Sequence, residues 1–163
     1  LERWKVAPLP GHRSERTLAA MQAIRGSVPP RVIAGMLRTL WNGWVTARRF
    51  TTARLQNRCI FCAYPEDSIE HYANCQVVSD VGQTLLGLTR PRSAEERLTR
   101  FLLLHVPPRS AKQERRNLAA RAVLTSAVMA TRNLQRYQEM SVMAAKGALI
   151  QNVKEMRNSV EGQ

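Results

Sequence analysis

Three cysteines and one histidine fall within seventeen residues of this chain, in the segment CIFCAYPEDSIEHYANC, with Cys59, Cys62, His71 and Cys75 spaced C-x2-C-x8-H-x3-C. Two cysteines separated by two residues suit a tight knuckle that points both sulfurs at one ion. Pro65, Asp67 and Ser68 mark a helix start, and a helix beginning there places His71 and Cys75, four residues apart, on one face. Knuckle plus helix supplies four ligands to a tetrahedral ion. That is the donor set of structural Zn2+, and it leaves no open position for a catalytic water. The competing readings are a buried histidine beside three free thiols, and a Cys59–Cys62 disulfide under oxidation. Phe61, Tyr64, Ile69 and Tyr72 are expected to cover the ion and dock the module, Tyr64 by core packing rather than by stacking on a base. Glu66, Asp67 and Glu70 are expected to form an acidic edge, which makes poor phosphate-binding surface.

An odd cysteine count in a 163-residue chain argues against a secreted disulfide framework and for a metal in a reducing compartment. No apolar run approaches the roughly 20 residues that cross a bilayer, so no membrane insertion is expected. The chain begins with Leu, as a processed product or a piece of a longer chain does. Helical periodicity dominates the rest. Ser14 caps a helix to residue 25 with Leu18, Met21 and Ile24 on one face. From Arg31, Ile33, Met36 or Leu37, Leu40 or Trp41, and Trp44 recur at helical spacing, with an irregularity at Asn42-Gly43. Val77 to Leu88 reads as a short amphipathic helix. Ser93 with Glu96 is a capping box opening a helix with Leu98, Phe101, Leu102 and Leu104. Ser110 caps a long helix, about 111–138, whose apolar face holds Ala120, Leu124, Ala127, Thr131, Leu134 and Tyr137, with Arg121, Arg132 and Arg136 on another face. A last, weakly amphipathic helix over 141–158 uses Met143, Leu149, Val153 and Met156 and is open to packing on a partner.

The expected fold is therefore all-α, an irregular helical protein with a central CCHC zinc module at 59–75. Residues 1–13, with Trp4, Pro8, Pro10 and Gly11, read as an extended arm. Residues 14–106 form the helical body, and 107–163 form a C-terminal helical hairpin or extension.

Charge constrains the partner. Lys and Arg number 25 against 12 Asp and Glu, a formal net charge of +13. Nearly all of it is arginine, with lysine only at positions 5, 112, 146 and 154. Such a charge repels itself unless something anionic neutralises it. Guanidinium is suited to bidentate phosphate contacts and to stacking, although genomic base composition also enriches arginine. Nucleic acid is the first expected counterpart and a membrane surface the second. Three clusters are the candidate nucleic-acid contacts: Arg48, Arg49, Arg54 and Arg58 before the zinc segment; Arg90, Arg92, Arg97 and Arg100 after it; and Arg109, Arg115, Arg116 and Arg121 at the start of the long helix. Phosphate contacts without sequence readout, weakened by salt, are expected from them.

No catalytic constellation accompanies these features. There is no glycine-rich phosphate loop, no HExxH and no serine, histidine and aspartate arrangement. His12 and His105 sit beside proline or glycine turns. The chain is not expected to be an enzyme.

The segment RCIFCAYPEDSIEHYANC resembles the zinc-binding region downstream of the polymerase in non-LTR retrotransposon reverse transcriptases. The stretch RVIAGMLRTLWNGWVTARRF, residues 31–50, resembles the helical lead-in of the same region. The resemblance covers about residues 31–104, and its distinctive part is the Pro-Glu-Asp-x-Ile-Glu-His run. It implies zinc on Cys59, Cys62, His71 and Cys75 and a region that helps hold template RNA or target DNA. The paired aspartates of a polymerase are absent: Asp67 and Asp80 are the only two aspartates. The first functional expectation is a non-catalytic, zinc-stabilised RNA-binding component of a large ribonucleoprotein, domesticated from such an element. The assembly expected is a mitochondrial ribosome, with ribosomal RNA and neighbouring proteins as partners and the mitochondrion as its location. The alternatives are the C-terminal nucleic-acid-binding fragment of a retroelement reverse transcriptase, with a nuclear location, and a protein-interaction adaptor in an organellar complex.

Overall fold

Eight consecutive residues late in the chain, Ala122 to Met129, are all buried, and the fold is arranged around them. The computed structural model describes residues 13–46, 57–103, 111–135 and 137–161; among these it holds seven helices and no strand. They are α1 (Arg13–Ile24), α2 (Pro30–Leu40), α3 (Ile69–Asn74), α4 (Gln76–Leu86), α5 (Ala94–Phe101), α6 (Ala111–Leu134) and α7 (Val142–Glu161). The fold is all-α and irregular, as the periodicity predicts. No helix among the described residues is long and apolar enough to cross a membrane.

The run AVLTSAVM in the middle of α6 offers small or aliphatic side chains and two hydroxyls. A helix without a polar face belongs inside a core, and α1, α2, α4, α5 and α7 all pack on this one. Its hydroxyls find partners on those neighbours. Thr125 Oγ1 donates to the Phe101 carbonyl of α5 at 3.0 Å, and Ser126 Oγ donates to the Val32 carbonyl of α2 at 2.9 Å. At Gly35 the approach of α2 is so close that an added Cβ would lie 2.5 Å from Ser126 Oγ and 2.8 Å from its Cβ.

Local chemistry sets the ends of the surrounding helices. Pro30 opens α2 at a position where its missing N–H costs nothing. That helix stops at Leu40 because Asn42 takes a left-handed φ of 53°, while the Gly43 N–H reaches back to the Arg38 carbonyl. Trp44, expected in helical register, therefore lies beyond the helix; it is fully buried, and its Nε1 donates to Thr39 Oγ1 at 2.8 Å. Trp41 faces solvent. Gly87, also left-handed, closes α4, with the Leu88 N–H on the Gly82 carbonyl at 3.1 Å. Ser93 caps α5 by accepting from the Glu96 N–H at 3.0 Å.

Several expected faces are corrected. In α1 the buried side chains are Thr17, Ala20, Met21 and Ile24, and Leu18 is exposed. In α6 the helix ends at Leu134, so Leu134 and Tyr137 leave the core and are exposed. Arg132, expected on an outer face, is fully buried. In α7 the seam against α6 is Ala145, Leu149, Val153 and Met156, while Met143 faces solvent. The extended arm with Trp4 and His12, the approach at 48–56 with Phe50 and Leu55, and Leu104, His105, Pro107, Pro108, Ser110 and Arg136 lie outside the described residues.

Gly35→Ala should destabilise the protein despite a gain in helix propensity of about 1 kcal/mol, because the new methyl overpacks a full interface at a cost of about 1–3 kcal/mol. Denaturant titration should place the variant below wild type. Adding Ser126→Gly, which removes the obstructing side chain, should recover part of the loss relative to Ser126→Gly alone.

Candidate metal centre

The four expected ligands converge. Their donor atoms all lie within 4.8 Å of one another, although they come from a turn and from both ends of a helix. The turn is built by backbone bonds. The Cys59 N–H donates to the Tyr64 carbonyl at 2.8 Å, and the Ala63 N–H donates to the Cys59 carbonyl at 2.9 Å. Ala63 holds a left-handed φ of 59°, a conformation that costs a residue with a Cβ about 1–2 kcal/mol. Opposite the turn, Ser68 Oγ accepts from the His71 N–H at 3.0 Å and so starts α3 where Pro65-Glu66-Asp67-Ser68 predicts it. Cys75 ends α3 and opens α4.

The spacing of the donors fits tetrahedral coordination. Zn–S bonds of about 2.3 Å at the tetrahedral angle put two sulfurs roughly 3.8 Å apart. Cys59 Sγ and Cys75 Sγ are 3.9 Å apart, and Cys62 Sγ lies 3.3 Å from His71 Nε2. The electrostatics point the same way. Hydrogen bonds from Cys59 and His71 pull the Cys75 thiol below its ordinary range, while the bond to Cys75 and burial push Cys59 up. Burial also raises Cys62. Three sulfurs in one small space do not ionise together without a cation, and a divalent cation removes that conflict. The cluster is consistent with a CCHC-type zinc-binding module. Cys59 and Cys75 are buried, and Cys62 is on the solvent side.

Two expectations about the surroundings are corrected. Tyr64 is 54% exposed and stacks on the His71 ring, with centroids 4.8 Å apart and planes 2° from parallel. Asp67 is not on an acidic edge: it is fully buried. Its carboxylate accepts from Arg132 Nε at 2.8 Å, from Arg132 Nη2, and from Tyr72 Oη at 2.6 Å. Burial works to lower the Arg132 pKa, but the bonds to Asp67 outweigh it and the net direction is upward. Tyr72 is pushed up by burial and then by the Asp67 charge. This triad locks the loop between knuckle and α3 onto the far end of α6. Beside it Trp44, Phe61, Tyr72 and Phe101 form an aromatic cluster with ring centroids 5.6–6.1 Å apart. A signal for Arg132 exists in the sequence: it follows Thr125 and Val128 at seven and four residues, the spacing of one helix face.

The arginines are distributed around the body. Arg90, Arg97 and Arg121 line a small cleft of about 50 Å³ beside α4. Arg115 and Arg116 line a larger one of about 470 Å³ together with Arg157, which the sequence pattern does not single out. Arg58 and Arg92 are exposed, and Arg100 pairs with Glu96. Arg48, Arg49, Arg54 and Arg109 lie outside the described residues. No protein-family model, curated protein or solved structure matches the chain.

Asp67→Asn and Arg132→Met should each lower the folding free energy by about 3–5 kcal/mol, because each leaves the partner buried without its counter-charge. The double variant should lose much less than the sum. Denaturant melts of all four proteins give the coupling, and additive losses would show that the two side chains act independently.

Proposed function

We propose that the chain is a non-catalytic nucleic-acid-binding module stapled by one zinc ion, of the kind that follows the polymerase in non-LTR retrotransposon reverse transcriptases. The observation that carries this reading is the role of the Pro-Glu-Asp-x-Ile-Glu-His run on which the resemblance rests. In it Asp67 holds Arg132, Ile69 is buried in the core and His71 joins the cysteines, while Ser68, at its variable position, caps α3. The motif and the architecture of the metal loop are the same residues.

Cys59, Cys62, His71 and Cys75 would hold the ion with all four positions filled by protein. Bound zinc supplies a divalent charge that satisfies three thiolates and joins the knuckle to α3. The rest of the work falls to the chain. Asp67 and Arg132 carry that rigidity to α6, and the exposed arginines of α4 to α7 and their connections meet phosphate. A formal charge of +13 drives such contacts and makes them salt-sensitive. A structural component of a ribonucleoprotein such as a mitochondrial ribosome would use the same surfaces. The retroelement reading stands first because of the motif run.

Metal analysis of the purified chain should find one zinc per chain. Cys59→Ala or Cys75→Ala should unfold the central module, since metal binding and folding are coupled there; a metal-free, fully folded protein would overturn the staple. Protons compete for the thiolates and the imidazole, so zinc affinity, read by competition with a chromogenic chelator, should fall from pH 7 to pH 5. Sequencing RNA that co-purifies from cells at moderate salt separates the assemblies. Element RNA supports the reading and ribosomal RNA redirects it to the ribosome. Protein partners without nucleic acid would replace it with an adaptor.

A further inference from the structure

The two arginine-lined clefts share a wall. The small one is bounded by Gly82 and Leu88, and the larger one by Leu85, Leu86 and Gly87, so they lie on either side of the last turn of α4. Helix α6 runs beneath both, giving Arg121 to one and Arg115 and Arg116 to the other. Arg90 and Arg97 complete the small cleft, and Arg157 of α7, whose Nη1 donates to the Leu85 carbonyl, completes the larger. Neither lining contains a carboxylate, and each includes three arginines. The wall between them ends at Gly87, which is exposed and has no side chain; nothing lies within 4 Å of where its Cβ would be. The larger cleft also has an apolar floor, made by Val28, Leu85, Ala120 and Val123.

We infer that single-stranded nucleic acid crosses the protein over the last turn of α4, with backbone phosphates in both clefts and one unpaired base on the apolar floor. This rests on the proposed nucleic-acid function and adds its path and its strand preference. The spacing is suitable. Arg121 lies five residues from Arg116 and six from Arg115, about 7.5–9 Å along the α6 axis, the rise of about two to three nucleotides of a stacked strand. A cationic groove that meets both backbone and base faces selects single strands, whose bases are free to turn inward. A duplex keeps its bases stacked and offers only phosphate.

The test is fluorescence anisotropy with the full zinc-loaded chain, using a labelled 20-nucleotide RNA, alone and annealed to its complement, over a series of salt concentrations. Wild type should bind the single strand more tightly. Arg115→Ala/Arg116→Ala and Arg90→Ala/Arg121→Ala should each lower the slope of log affinity against log salt by about 1.4 for the single strand, at about 0.7 per phosphate. Arg38→Ala/Lys146→Ala, which removes two exposed charges elsewhere, should leave it nearly unchanged. Equal losses from all three pairs, or tighter duplex binding by wild type, would overturn the path and leave nucleic-acid binding intact. No binding by wild type would instead sink the function on which the path rests. If a paired variant fails to fold, photocrosslinking of wild type with 4-thiouridine RNA decides. Adducts should map to residues 85–91 and 113–123, and adducts confined to α1 and α2 would overturn the path.

Discussion

The bond between Asp67 and Arg132 is the interaction on which the rest of the structure depends. It is the point where a small loop, ordered by its own turn and by the metal ligands, is joined to the helix that every larger element packs against. A buried ion pair contributes little net stability when compared with a well-packed apolar substitute. What it contributes here is uniqueness. Only one placement of the loop brings the carboxylate to Nε and Nη2 of Arg132 and to Oη of Tyr72 together. Arg132 Nη1 is left without a hydrogen-bond partner, so the arrangement carries a cost that a purely stabilising contact would not.

Much of this architecture is legible in the sequence, for identifiable reasons. Ligand spacing, the Ser68 and Ser93 caps and the helical periodicity are local properties, and local rules read them correctly. Several of the failures share one cause. Leu18, Leu134 and Tyr137 look like core residues because they are apolar, and Arg132 looks like a surface residue because it is charged. Their placement is decided by contacts distant in sequence, such as the 65-residue separation between Asp67 and Arg132. Trp44 went astray differently: the left-handed Asn42 ends α2 one turn early, and the indole enters the core from a loop. Tyr64 has a ring free to stack on His71, and nothing in its neighbours along the chain distinguishes that from burial.

None of the four metal ligands lines either arginine cleft. The ligands sit between a hydrogen-bonded turn and a short helix, with Glu66 and Glu70 close by, whereas Arg90, Arg97, Arg115, Arg116, Arg121 and Arg157 line the clefts. The separation has a physical reason. A cluster of thiolates is itself an anion, and phosphate would be repelled from it, whereas guanidinium groups on rigid helices meet phosphate without rearranging. On the proposed reading, the metal loop acts by holding α3 and α4 in place for the arginines that meet phosphate.

The central position of α6 imposes an order on assembly. Helices α1, α2, α4 and α5 precede it in the chain; α1 and α2 pack chiefly on residues made later, whereas α4 and α5 also pack on α3. Ser126 reaches back 94 residues to Val32. During synthesis α1 and α2 have little to fold against until α6 is made, whereas the ligand segment can already pack on α4 and α5 through α3. A metal captured at that stage would hold a native nucleus while the remaining helices wait, unpaired and exposed, for the one on which they close.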